Sequence, residues 1–229
     1  LAHEIKNPLS GIRGAAQLLS QKLPKEHLGE YTEIIINQTD RLSSLVDDIL
    51  GPNRKPTFEL QNIHAPLESV ITLLKQNLSK SGINLLKDYD PSIPEIYLDI
   101  YLLEQSILNL VNNARESLIE GEVLSPEIKI VTRVLHQELI GETQHKTVCK
   151  ISVIDNGPGI PKDLKDSVFF PMISSKPEGS GLGLSITQGI ISQHNGIIKF
   201  ESEPGKTEFS ILIPIDHELS KQELRSANA

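Results

Sequence analysis

Residues 147–161 read TVCKISVIDNGPGIP. Through Ile154 this is a β-branched and apolar run, the composition of a strand that enters a core. Asp155 closes the run and is followed by Asn156, Gly157, Pro158 and Gly159. An acidic group at a strand end beside two glycines lets backbone approach a flat ligand closely, and its carboxylate can accept from an exocyclic amine such as adenine N6. DNGPG taken alone is equally well a Gly-Pro turn.

Outward from this strand, β-branched runs recur at Ile128 to Leu135, Gly196 to Ser202 and Thr207 to Pro214. Shorter strands are expected near Phe58 to Ile63 and Ile83 to Asp88. Helical spacing covers about Pro66 to Ser79, Asp99 to Leu118 and Leu182 to His194. Strands that pair as antiparallel neighbours, with helices clustered between them, predict an α+β sandwich with helices on one face of a mixed sheet. A doubly wound fold fits less well.

Two further patterns could serve a phosphate ligand. Gly179, Gly181 and Gly183 in GSGLGLS open the helix that begins at Leu182, where free N–H groups and the helix dipole attract anions. Asn109 and Asn113 in NLVNNARES stand at i and i+4 on one helical face. Amide oxygens so placed can ligate Mg²⁺, a hard cation that keeps several waters and bridges phosphates. Each pattern alone has a plain reading, a glycine-rich helix start or a solvated helix face.

The first 50 residues differ in kind. Leu1, Ile5, Leu9, Ile12, Ala16, Leu19 and Leu23 follow 3/4 spacing, as do Tyr31, Ile34, Ile35, Gln38, Leu42, Leu45, Val46 and Ile49. The result is a helical hairpin turning near Pro24 to Gly29. Two such stripes bury little against one another, so a dimeric four-helix bundle is expected. GPNRKP at 51–56 breaks the pattern. His3 falls off the apolar stripe, with Glu4 adjacent and Asn7 one turn on. Pro8 removes the hydrogen bond to the Glu4 carbonyl. The other six histidines show no ligand-like spacing.

Composition sets outer bounds. At 229 residues two unequal units are expected, and no apolar run approaches the roughly 20 residues of a membrane span. A net charge of −8 without a Lys/Arg cluster argues against nucleic acid or an anionic membrane as partner. The single cysteine, Cys149, forms no internal disulfide, which fits the reducing cytosol, so a cytoplasmic protein is expected. The opening LAHE carries no initiator Met or signal pattern and reads as part of a longer protein. The polar tail 218–229 is expected to be disordered.

In order, HEIKNPL (3–9), NLVNNA (109–114), DNGPG (155–159), FFP (169–171) and GSGLGL (179–184) resemble the H, N, G1, F and G2 boxes of sensor histidine kinases. GIRGAAQLLSQKLP, DRLSSLVDDILGP, KDYDPSIPE and TEFSILIPI look closely like the nitrogen-regulation kinases of the NtrB type. The resemblance implies a dimerisation and phosphotransfer hairpin at 1–52, a linker at 53–57 and, at 58–217, an ATP-binding catalytic domain of the gyrase/Hsp90/histidine-kinase type. It implies His3 as phosphoacceptor from Mg-ATP, and Glu4 taking the proton from the other ring nitrogen. Asn7 would orient water for phosphatase activity toward the phosphorylated regulator. Asp155 would accept from adenine, with Gly157 and Gly159 shaping its pocket. Asn109 and Asn113 would lie at the triphosphate, Asn113 as Mg²⁺ ligand, and Gly181, Leu182 and Gly183 at the phosphates beneath a lid over about 160–180 held by Phe169 and Phe170.

Partners implied are a second copy of the chain, an NtrC-type response regulator and a PII-type regulatory protein. Two features depart from the pattern. Glu116 stands where many relatives carry a basic residue and the nearest cation is Arg115, so the phosphate cation is left open, with Lys176 in the lid as the candidate. The late GxT element reads Gly205, Lys206, Thr207 without its second glycine, which weakens Thr207 as a contact. The competing readings are an inactive ATP-binding scaffold and an ATPase of the same superfamily without a phosphohistidine intermediate.

Overall fold

In the computed structural model, residues 2–22, 32–36, 39, 56–173 and 181–215 are described. The chain divides into two units, Leu1–Lys55 and Pro56–Ala229. In the first, the spaced apolar residues form helix α1 (Ala2–Lys22), and residues 32–36 and 39 are helical. Leu9 and Ala16, one heptad apart, are buried, as are Thr32 and Thr39. Ile12, Leu19, Ile34 and Ile35 remain 40–50% exposed. The expected turn at Pro24 to Gly29, most of the second helix, residues 51–55 and the tail 218–229 lie outside the described residues.

The second unit holds α2 (His64–Lys80), α3 (Ile100–Glu120) and α4 (Gly183–Gln193). Its strands are β1 (Glu59–Gln61), β2 (Asn84–Asp88), β3 (Ile96–Leu98), β4 (Glu127–Ile140), β5 (Thr143–Asp155), β6 (Ile197–Glu203) and β7 (Lys206–Pro214). A five-stranded sheet runs β2-β4-β5-β7-β6, with β2 parallel to β4 and the other pairs antiparallel; β1 and β3 form a separate ribbon. The mixed sheet is the one expected.

Period-2 alternation sorts its two faces. Ile128, Ile130, Cys149, Ile151, Val153, Ile211 and Ile213 point into a core shared with Leu67 and Leu74 of α2, Leu103, Ile107 and Leu110 of α3, and Ile190 and Ile191 of α4. Cys149 is fully buried there, and burial pushes its thiol up to about 12, so it stays a thiol at neutral pH. The opposite face is polar. Asp88 pairs with Lys129 at 2.9 Å and Arg133 at 2.8 Å, and Glu208 with Lys150 at 2.9 Å.

The structure adds three features. β4 and β5 extend well beyond the expected ends, joined by the two-residue loop Gly141-Glu142, with Gly141 at φ +60 where a type II′ turn favours glycine. β3 has only three residues, too few for a period to show. A 3₁₀ helix at Lys162–Ser167 is polar but for Leu164 and buries none of its residues.

Candidate functional site

Asp155 ends β5 with its side chain 5% exposed. Its Oδ1 accepts from the Gly157 N–H at 2.9 Å, a bond that favours the carboxylate, but burial outweighs it and pushes the carboxyl up to about 6. The loop after it is held by the neighbouring β6–β7 hairpin. The Gly205 N–H donates to the Gly157 carbonyl at 2.9 Å. The Ile160 N–H donates to Ser202 Oγ at 2.8 Å, and that hydroxyl is 3.0 Å from Thr207 Oγ1. Thr207 is buried directly opposite Asp155 in the β5–β7 register, so the weakest of the sequence candidates lies next to the strongest.

Both loop glycines are required by close approach. A Cβ on Gly157 would lie 2.6 Å from Asp155 Oδ1 and 3.0 Å from Ser117 Oγ. Gly159 has φ +86, and a Cβ there would lie 2.9 Å from the Glu203 carbonyl carbon.

Beyond the loop, Lys165 donates to the Ser202 carbonyl. Phe169 packs edge-on against Phe200 and Phe209, with centroids at 5.8 and 6.4 Å. Phe170, expected to anchor this segment alongside it, is 63% exposed; the chain turns here, its N–H donating to the Ser167 carbonyl, which leaves its ring outside the aromatic cluster. The Met172 N–H donates to the Gly181 carbonyl at 3.0 Å. Gly181 has φ +67, and a Cβ would lie 2.7 Å from Met172 and Ile173 backbone atoms. Met172 and Ile173 are therefore clipped to Gly181 by backbone contact. Lys176 and Gly179 fall outside the described residues.

Leu182 is buried at the N-cap of α4 without a capping side-chain bond, and Gly183 opens the helix. The first N–H groups of any helix have no intrahelical partner, so this end presents donors and a positive dipole end. The Gly183 carbonyl accepts from Asn109 Nδ2 at 3.2 Å and from the Thr187 hydroxyl at 2.8 Å.

Helix α3 connects the two ends of the site. Asn109 meets Gly183, and Ser117 meets Gly157 eight residues on, about 12 Å along the axis at 1.5 Å per residue. Asn113 lies between them, half-buried. Helix α3 thus touches the glycine loop that follows Asp155, at Ser117, and the start of α4, at Asn109. Ser117 was not among the sequence candidates, although it continues the i, i+4 series of Asn109 and Asn113. His3, Glu4 and Asn7 lie in α1 by backbone, and their side chains are outside the described residues.

The arrangement suits an elongated ligand with an amine at one end and anionic groups at the other. The buried carboxylate beside a loop of two glycines and the donor-rich helix start fit an adenine nucleotide. Among the described residues no group of three or more His, Cys, Asp or Glu gathers to hold a metal. A cation here would be held by amide oxygen and by the ligand's phosphates, as the chemistry of Asn113 allows.

Residues 98–217, more than half of the chain, match the family of histidine kinase-, DNA gyrase B-, and HSP90-like ATPases, and residues 1–56 match the His Kinase A (phospho-acceptor) domain. A Vibrio alginolyticus protein named sensory histidine kinase/phosphatase NtrB is 49% identical over 215 residues, covering 94% of this chain and 61% of that protein. The chain spans about three fifths of the length of such curated relatives. Full-length ShkA in complex with AMPPNP superposes with a TM-score of 0.72 at 24% identity, over 93% of this chain and 44% of that one, a likeness of fold alone. Histidine kinase ThkA in complex with response regulator protein TrrA gives 0.64 at 29% identity, over 94% and 60%.

Proposed function

This chain belongs to the histidine kinase-, DNA gyrase B- and HSP90-like ATPase family, and from that membership we propose that it is the kinase core of a nitrogen-regulation sensor histidine kinase. It autophosphorylates His3 from Mg-ATP, transfers the phosphoryl group to an aspartate of an NtrC-type response regulator, and also dephosphorylates that regulator. The observation that carries this reading is the alignment along α3 of Asn109 at the start of α4, Asn113, and Ser117 at the Asp155–Gly159 loop, together with a phospho-acceptor match over 1–56.

In this reading residues 1–52 form the dimerising phosphotransfer hairpin, 53–57 the linker and 58–217 the catalytic domain. The exposed stripe of Ile12, Leu19, Ile34 and Ile35 supports burial against a second copy. A PII-type protein is the expected regulator, and the cytoplasm the expected location.

ATP with Mg²⁺ supplies the transferable γ-phosphoryl and neutralises part of its charge. Asp155 accepts from the adenine amine, and Gly157 and Gly159 keep backbone close to the ring. Thr207, beside Asp155, completes that end. Asn113 offers its amide oxygen to the cation, and Asn109 holds α4 so that the N–H groups following Gly181 and Leu182, from Gly183 on, face the phosphates; Lys176 adds positive charge there. Neutral His3 attacks the γ-phosphorus in line, forming an N–P bond as the P–O bond to the ADP leaving group breaks. Glu4 takes the proton from the other ring nitrogen. Asn7, one turn on, orients the water that hydrolyses the regulator's aspartyl phosphate.

The test is incubation with γ-labelled ATP and Mg²⁺. Acid-labile label is expected on the wild type and lost in His3→Gln. ATP turnover without protein label would point instead to a plain ATPase, and absence of both label and turnover to an inactive scaffold.

A further inference from the structure

At the end of β5 a side chain takes the place of a peptide group. The β4–β5 ladder runs to the pair Ile128 and Asp155, which makes Glu127 and Asn156 the next opposed residues. At every second position of an antiparallel pair, opposed residues exchange both main-chain bonds. One of the two is present here, from the Asn156 N–H to the Glu127 carbonyl at 3.4 Å. The return bond runs from the Glu127 N–H to the side-chain Oδ1 of Asn156 at 2.8 Å. The other half of that amide, Nδ2, donates to the Ser125 carbonyl, also at 2.8 Å.

The Asn156 side chain thus offers this segment the oxygen and N–H of a peptide, and the main-chain peptide that follows it leaves the sheet. The N–H of that peptide, on Gly157, turns back to Asp155 Oδ1 at 2.9 Å. With Oδ1 so engaged, a ligand amine would be met by Oδ2.

The segment that receives Asn156 is itself fixed. The Asn84 N–H donates to the Pro126 carbonyl at 2.9 Å, and Asn84 Nδ2 to Glu127 Oε2 at 3.3 Å, which ties residues 126 and 127 to β2. Just past α3, Gly121 lies so close to Pro158 that a Cβ would come within 2.8 Å of its ring. The connection from α3 to β4 therefore touches the glycine loop twice, at Asn156 and at Pro158.

We propose that Asn156 is a positioning residue for base recognition: standing in for a peptide in the ladder, it fixes the direction of the Gly157 N–H and hence the aim of the Asp155 carboxylate, and so sets the preference for a purine that bears an exocyclic amine. The inference rests on the nucleotide reading of the site. Both polar atoms of the Asn156 amide are engaged by main chain of residues 125–127, so it acts through Asp155 and not by contact with the base.

The readout is selectivity: the ratio of affinities for ATP and for purine riboside triphosphate, which carries hydrogen in place of the amine. Titration calorimetry with Mg²⁺ at about pH 7.5, where the Asp155 carboxyl is ionised, measures both. Asn156→Ala should lower ATP affinity at least about tenfold and affinity for the amine-free analogue no more than about twofold. Glu127→Pro deletes the N–H that Oδ1 receives, at the first residue of a strand, where proline is accommodated. It should reduce the ratio at least about fivefold, while Glu127→Ala, which keeps the N–H, should hold it within about twofold of wild type. The double variant Asn156→Ala, Glu127→Pro should lose no more than about twofold beyond Asn156→Ala, because the shared bond is already gone.

An unchanged ratio in Asn156→Ala would overturn the proposal, as would an equal fall for both nucleotides, which would assign Asn156 to loop stability alone. If Asn156→Ala melts below the assay temperature, Glu127→Pro decides by the same two criteria. A wild type that binds both nucleotides equally would instead sink the reading of Asp155 as amine acceptor, and the proposal with it.

Discussion

The Asn109 side-chain amide donates to the Gly183 carbonyl at 3.2 Å, so the middle of α3 and the first turn of α4 are held as one piece. Asn109→Ala removes that tie and should lower stability by about 1 kcal/mol, the net worth of one such bond. If the tie also aims the start of α4 at phosphate, nucleotide affinity should fall at least about fivefold, measured by titration calorimetry beside a urea melt. Lost stability with unchanged affinity would leave Asn109 as a purely structural link.

Asp155 gives a pH signature. Its folded-state carboxyl is raised to about 6 by burial, so its favourable contribution is complete below the ordinary value of 3.8 and is lost as pH rises through about 6. At pH 7.5 the ligand-free protein carries an unfavourable buried charge. Asp155→Asn should therefore stabilise the ligand-free protein at pH 7.5 by up to about 3 kcal/mol, with the gain vanishing near pH 3.5. The same substitution should weaken nucleotide binding. Wild-type affinity should itself fall as pH drops from 7 to 5, and a flat profile over that range would exclude the carboxylate as the amine acceptor.

Two glycines separate backbone strain from crowding. Gly159 and Gly205 have φ of +86 and +89, but only at Gly159 would a Cβ meet other atoms. Gly205→Ala should cost about 1–2 kcal/mol from conformation alone, and Gly159→Ala a further ~1–3 kcal/mol from the clash with Glu203. Urea midpoints of the two variants test this directly; equal midpoints would mean that the loop simply moves aside.

Glu208 predicts the acid limb. Burial opposes its charge, but hydrogen bonds from Lys150, Ser152 and Lys206 outweigh it and hold the carboxyl down to about 2. That contribution is present above the ordinary carboxyl value of 4.5 and is lost as pH falls toward 2. Glu208→Gln should cost about 1 kcal/mol at pH 7, allowing for solvent screening, and nothing at pH 2. A constant difference across this range would assign the effect to packing rather than charge.

Much of this protein is written in consecutive residues. The 3.6-residue period located α1, α2, α3 and α4 to within two residues at most ends, and β-branched runs located the strands of the main sheet, because each element's burial pattern belongs to its own residues. The order and spacing of HEIKNPL, NLVNNA, DNGPG and GSGLGL likewise identified the family, since such motifs are local by nature.

What the tertiary structure alone decided are pairings between distant segments. Thr207 faces Asp155 through the β5–β7 register, Ser117 abuts Gly157 through the packing of α3, and Phe169 rather than Phe170 joins Phe200 and Phe209. His194 meets Asp99 across 95 residues of sequence. No spacing encodes these pairs, because strand order and helix docking are set by how the whole core closes, and only then do Gly157 and Gly183 come to lie against Ser117 and Asn109 of one helix.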